Sequence, residues 1–112
     1  MEESQHVKHI LLICTAGITT GLLVKNVQSA ADAHHLSVHV YSAPAILADQ
    51  ILQNEPVDAL LIGPQSKYEI ERLRDYLTYK KVPYKLISNE DYQTLNGEAV
   101  LADSMKLLKV EI

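Results

Sequence analysis

Ile10-Leu11-Leu12-Ile13-Cys14-Thr15-Ala16-Gly17-Ile18-Thr19-Thr20-Gly21 decides the fold. Its first four residues form a continuous apolar run, the pattern of a strand buried on both faces and therefore of a parallel sheet. From Cys14 onward two glycines and three hydroxyls make a turn with no charged side chain. Beyond it Leu23, Val27, Ala30 and Ala31 fall at i, i+4, i+7 and i+8, which predicts a helix from about Thr20 to His34. Strand, glycine turn and helix are the opening half of a β-α-β unit.

The rest of the chain repeats this form. Val38 to Tyr41, Val57 to Ile62 and Tyr84 to Ile87 read as further strands, the last as an edge because it carries Lys85. Pro44 and Pro64 suit first helical positions. The helix after Pro44 is expected to turn Leu47, Ala48, Ile51 and Leu52 inward, and the one after Pro64 to line up Ile70, Leu73 and Leu77. Ser88-Asn89-Glu90-Asp91 reads as a capping box, Asn96-Gly97 as a turn, and Leu101, Met105 and Leu108 as a final buried stripe. The order is β-α-β-α-β-α-β-α, a three-layer α/β fold. Right-handed crossovers then favour a doubly wound, four-stranded parallel sheet of order 2-1-3-4. Winding reverses between strands one and three, so the loops leaving them share a crevice. Those loops begin at Cys14 and Gly63, which are thereby expected to be neighbours.

Length and composition agree. The 112 residues suit one domain, 1–112, able to fold alone, with residues 1–7 and the last two or three expected to fray. No apolar run approaches the roughly 18 residues of a membrane span. The acidic start is no signal peptide, so a cytoplasmic location is expected. A formal charge of −4 with scattered lysines and arginines argues against a nucleic-acid partner. With six tyrosines and no Phe or Trp, the core must be aliphatic. One cysteine excludes an internal disulfide and a multi-cysteine metal site. Neither a metal nor a cofactor is called for.

The turn can present successive backbone N–H groups as an anion nest, backed by the positive end of the following helix. A thiol at such a place has its pKa lowered from about 8.5 into the range of roughly 3.5 to 7.5. Cys14 is thus a candidate nucleophile whose adduct is an anion, phosphate above all, held by Thr15, Ala16, Gly17, Ile18, Thr19, Thr20 and Gly21. A lone cysteine ending a buried strand also fits a small core residue, and glycines serve a tight turn whether or not anything binds.

The stretch Cys14 to Val24, followed by Gly63-Pro64-Gln65-Ser66-Lys67-Tyr68, resembles the enzyme IIB component of the bacterial phosphoenolpyruvate-dependent sugar phosphotransferase system, in its lactose/cellobiose (chitobiose) class. The resemblance spans nearly the whole chain. Departures are Thr15 and Thr19 where Ser is usual, Ile18 for Met, and Gly21 for Ser, the last losing a hydroxyl. What the resemblance implies is a relay. Cys14 accepts a phosphoryl group from a phosphohistidine of enzyme IIA and passes it to a sugar such as cellobiose, chitobiose or lactose on the membrane component IIC. Docking at the inner face of the membrane would be transient, and the chain by itself a monomer.

Two rivals stand beside this. A low-molecular-weight phosphatase or arsenate reductase also uses a cysteine loop after the first strand, but carries arginine six residues on, where this chain has Thr20. The other is a non-catalytic phosphate- or nucleotide-binding module or a receiver-like domain, of which a receiver would need carboxylates at strand ends to hold a cation, where this chain has Cys14 and Gly63. Of the remaining residues, Gln65 suits a phosphoryl donor or a helix cap, and Tyr68 either packs over the cysteine loop or joins the core. His6, His9, His34, His35 and His39 show no metal-ligand spacing. Glu69, Glu71, Arg72, Arg74 and Asp75 read as a solvated helix face.

Overall fold

The computed structural model describes residues 7–15 and 18–110. Of the chain ends expected to fray, residues 1–6 and 111–112 lie outside the described residues, while Val7 and Val110 are described and exposed. The elements are β1 (Lys8–Cys14), α1 (Ile18–Ala33), β2 (Val38–Pro44), α2 (Ala48–Asn54), β3 (Ala59–Ile62), α3 (Glu69–Lys80), β4 (Tyr84–Leu86), α4 (Asn89–Gln93) and α5 (Gly97–Leu108). Short 3-10 turns, Ala45–Leu47 and Pro64–Ser66, lead into α2 and α3. The strands form one parallel sheet of order β2-β1-β3-β4, as the crossover rule requires.

Strand periodicity divides the core in two. Ile10, Leu12 and Cys14 of β1 and Ala59 and Leu61 of β3 meet Leu23 and Val27 of α1 and Val100, Leu101 and Met105 of α5. Leu11, Ile13, Leu60 and Ile62 face the other way, against Ala48 and Leu52 of α2 and Leu73 and Leu77 of α3. Both central strands are thus covered on two faces, whereas β2 and β4 are partly exposed edges. Burial on both faces therefore holds for β1 and β3 but not for β2, whose outer flank lacks a neighbour.

Several local expectations shift. Pro44 ends β2 instead of opening a helix, because its extended backbone (ψ 142°) leads into a 3-10 turn. That turn buries Ala45 and leaves Leu47 43% exposed, so Leu47 is not a core residue. Pro64 does open a helical turn, but of 3-10 type, and α3 proper begins five residues later. Ser88 caps α4 as expected, its Oγ accepting the Asp91 N–H at 3.0 Å. Asn96 is a cap as well as a turn residue, since its Oδ1 accepts the Ala99 N–H at 3.0 Å. Among the described residues no helix is long and apolar enough to cross a membrane.

The path from α4 to α5 bears on the site. Leu95 takes a left-handed conformation (φ 53°), which a leucine adopts at a cost of roughly 1 kcal/mol. Its carbonyl accepts Asn26 Nδ2 of α1 at 2.9 Å. Gly97 then lies so near that a Cβ there would overlap the Asn26 carbonyl at 2.5 Å. Glycine is required by that approach, and it clamps the α4–α5 corner onto α1.

Candidate active site

Cys14 ends β1, and strand alternation turns it to the face shared with α1 and α5. It is 1% exposed. The turn leaving β3 lies directly beside it, with the Gly63 N–H donating to the Ile13 carbonyl at 2.8 Å. The ends of strands one and three therefore do meet, as their topology demands.

The surroundings of the sulfur are not those of an ordinary core cysteine. Thr20, buried on the first turn of α1, donates its hydroxyl to Sγ at 2.9 Å. Tyr92 of α4 brings its Oη to 3.3 Å from Sγ and 2.8 Å from Thr20 Oγ1. Thr15 Oγ1 stands 4.0 Å away. Burial holds the Tyr92 phenol above its usual range, the adjacent Cys14 sulfur adds to this, and the Thr20 contact works against it. At neutral pH Tyr92 is thus a protonated hydroxyl and not a base.

Tyr92 was not among the residues picked out from the sequence. A signal existed: in Asn89–Gln93 it is the single side chain with a large apolar body, so a buried α4 must turn it inward. Its hydroxyl's meeting with a sulfur 78 positions away has no local signature.

Of the seven residues assigned to the phosphate loop, Ala16 and Gly17 lie outside the described residues. Ile18, Thr19, Thr20 and Gly21 belong to the first turn of α1 and not to a loop, since the helix starts two residues earlier than the apolar stripe indicates. Thr19 is exposed and Thr20 buried. Among the described residues nothing lies within 4 Å of a Cβ built on Gly21, so neither a positive φ nor close packing against them calls for glycine there.

The facing turn is only partly as expected. Gly63 touches Cys14, and Pro64 follows in the 3-10 turn. Gln65 is exposed and caps nothing, because neither that turn nor α3 has a side-chain cap. Tyr68 immediately precedes α3 and is 61% exposed, which excludes a core role. It borders a groove of about 480 Å³ together with Thr15, Ala45, Ile46 and Arg72. Ser66 is fully buried, and its Oγ has no hydrogen-bond partner among the described residues.

Glu69 is buried and so is not part of a solvated face, whereas Arg72 stays exposed on it but is tied down by its partners. Arg72 Nε donates to the largely buried Glu69 carboxylate at 2.6 Å, and its Nη atoms reach Asp49 of α2 and the Ala45 carbonyl. The first turn of α3 is thereby tied to the end of β2, which closes one wall of the groove beside Thr15. Among the described residues no group of three or more His, Cys, Asp or Glu could hold a metal ion.

The family described as "PTS system, Lactose/Cellobiose specific IIB subunit" matches residues 9–103. The galactose-specific EIIB component of Lactococcus lactis subsp. cremoris is 30% identical over 104 residues, covering 90% of this chain and 96% of that one. The cellobiose-specific EIIB component of Lactococcus lactis subsp. lactis gives the same identity and coverage. The solution structure of the cellobiose-specific IIB component from Borrelia burgdorferi superposes with a TM-score of 0.76 at 26% identity, over 95% of both chains. The lactose-specific IIB domain from Streptococcus pneumoniae shares the fold, with a TM-score of 0.79 at 14% identity over 90% of this chain and 97% of that one.

Proposed function

This chain belongs to the lactose/cellobiose-specific IIB family of the sugar phosphotransferase system, and we propose that it serves there as a phosphoryl relay with Cys14 as the carrier. The donor is a phosphohistidine on enzyme IIA. The Cys14 thiolate attacks its phosphorus; the S–P bond forms as the N–P bond breaks, and the electron pair returns to the imidazole nitrogen. In the second transfer a sugar hydroxyl held by the membrane component IIC attacks the same phosphorus. The S–P bond breaks, the thiolate leaves, and the hydroxyl proton passes to solvent.

The observation that carries this reading is the position of Cys14 beside the start of α1. The N–H groups of the first helical turn, residues 18–21, have no partner within the helix. The 16-residue helix has no acidic residue in that turn to compete with an anion. Backbone donors between Thr15 and Gly21 can therefore hold phosphoryl oxygens, with Gly63 and Pro64 facing them and Gln65 and Tyr68 at the rim. Transfer between good carriers needs mainly alignment and charge stabilisation. Residues 15–21 carry no charged side chain and Tyr92 is no base, so a water molecule is poorly activated and the phosphocysteine persists. Hydrolysis in the manner of a cysteine phosphatase is disfavoured, because Thr20 and not a guanidinium stands six residues after the cysteine.

The acceptor is assigned only as a sugar, a β-disaccharide such as cellobiose, chitobiose or lactose being the reading favoured by the class resemblance, since relatives named for galactose and for cellobiose are equally similar. Its identity is set on IIC. The chain acts as a single cytoplasmic IIB domain, monomeric by itself, meeting IIA and IIC in turn through the surface around Cys14. It uses no metal, cofactor or nucleic acid. The test is intact-mass measurement after incubation with phosphorylated IIA. An adduct of ~80 Da on the wild type and none on Cys14→Ala is expected. No adduct with several phosphorylated donors would remove the assignment.

A further inference from the structure

We propose that Tyr92 is a positioning residue for the transfer, holding the Thr20 hydroxyl proton on the Cys14 sulfur and adding its own when the thiol ionises. The proposal rests on the relay reading of Cys14.

Three atoms form a closed triangle: Thr20 Oγ1 to Sγ at 2.9 Å, Tyr92 Oη to Sγ at 3.3 Å, and Oη to Oγ1 at 2.8 Å. Each hydroxyl has one proton to give. Thr20 spends its proton on the sulfur, so its contact with Tyr92 exists only with Tyr92 as donor. In the thiol state the S–H completes the ring by donating to Tyr92 Oη. Ionisation removes the S–H and leaves a negative sulfur facing a tyrosine lone pair. Rotating the phenol proton onto the sulfur resolves this. The exchange gives up a neutral hydrogen bond for a charge-assisted one, which is about twice as strong. The thiolate is then held by two hydroxyl donors, at 2.9 and 3.3 Å.

The same donors serve both transfers. They enlarge the thiolate fraction that attacks the phosphohistidine, and they stabilise the thiolate that leaves when the phosphoryl group moves on. Neither hydroxyl is placed by its own loop. Thr20 is on α1, and Tyr92 is fixed to α1 through the Asn26 bond to Leu95 and the close approach of Gly97. Both donors thus ride on one packed unit, and the sulfur enters from the sheet.

The test is the pH midpoint of thiolate formation, read from ultraviolet absorbance as a difference against Cys14→Ser and from the pH profile of iodoacetamide alkylation. With one cysteine in the chain, the alkylation signal belongs to Cys14. Tyr92→Phe keeps the ring and removes Oη; its midpoint is expected to rise by about one unit, in line with the loss of a bond to a charged group. Thr20→Val should raise it at least as far, and Thr20→Ser should restore it. The initial rate of phosphocysteine formation from phosphorylated IIA should fall with the thiolate fraction, up to about tenfold below the midpoint. A side chain that only packs would lower the melting temperature and leave the midpoint in place. If Tyr92→Phe fails to fold, the Thr20→Val and Thr20→Ser pair decides alone. Unchanged midpoints in Tyr92→Phe and Thr20→Val, in a wild type that takes phosphate, overturn the positioning role and spare the relay. Shifted midpoints in a protein that takes phosphate from no donor overturn both, because the transfer being positioned would not exist.

Discussion

Gly63 lies so close to Cys14 that a Cβ at position 63 would stand 3.3 Å from Cys14 Cβ and 3.5 Å from its sulfur. Gly63 has an ordinary φ of −63°, so the glycine is there for space and not for backbone freedom. Cys14 Cβ is fixed to a strand paired on both sides and cannot retreat. Gly63→Ala is therefore expected to cost about 1–2 kcal/mol, as modest overpacking does, and to slow adduct formation on Cys14. Urea unfolding and intact-mass time courses check this. Wild-type values in both would mean that the turn yields without moving the cysteine.

Gly97→Ala should be the more damaging change. Its Cβ would meet backbone atoms of Asn26 at 2.5 Å, and α5 would have to move off α1. A loss of about 3 kcal/mol is expected. Because the same contact anchors the corner behind Tyr92, the thiol midpoint of any folded fraction should rise too. Calorimetry together with thiol titration measures both effects.

Gly21→Ala should act in the opposite direction. Position 21 is in α1, and an added methyl meets none of the described residues. Removing the excess freedom of glycine from a helix is worth about 0.5–1 kcal/mol. A higher melting temperature with unchanged phosphoryl transfer is expected. A slower transfer at unchanged stability would instead show that a side chain at this place hinders the phosphoryl group.

Stability should fall at alkaline pH in part through Tyr92. Its folded pKa lies above the ordinary value near 10 because of burial first and the Cys14 contact second. The native state therefore keeps a proton that the unfolded chain releases. This contribution is complete below about pH 10 and is lost as the pH rises toward the folded pKa. Tyr41 acts in the same sense, through burial and the nearby Glu55 and Asp58 carboxylates. Tyr92→Phe should thus show a shallower loss of stability above about pH 10 than the wild type, measured by urea unfolding across that range. An identical slope would argue that Tyr92 is not held protonated.

Arg72→Lys is expected to behave more like Arg72→Ala than like the wild type. The guanidinium serves Glu69, Asp49 and the Ala45 carbonyl together, a fan that an ammonium cannot reproduce. The Arg72 side chain is 43% exposed, so the cost is about 1 kcal/mol. The sharper readout is accelerated proteolysis or amide exchange around Ala45–Leu47. Full retention by Lys would reduce the cluster to simple charge pairing.

Much of this could be read from the chain itself, for reasons that can be named. Ile10–Ile13 and Ala59–Leu60-Leu61-Ile62 are apolar without interruption because both faces of a central strand are covered. The capping residues Ser88 and Asn96 are local chemistry, decided within three residues. The burial of Glu69 and the partners of Arg72 were missed because helical spacing alone does not reveal that the 3-10 turn at Ala45 rises against the first turn of α3.

What the sequence determined by itself was the order of elements, the handed crossovers and so the meeting of Cys14 with Gly63, since these follow from short-range patterns and chain chirality. Only the tertiary structure decided what surrounds the sulfur. Tyr92 reaches it across 78 residues through a left-handed Leu95, a bond to Asn26 and a glycine pressed against α1. No period or spacing encodes that sum, because each contribution is a packing contact between elements that local sequence places only on opposite sides of a turn.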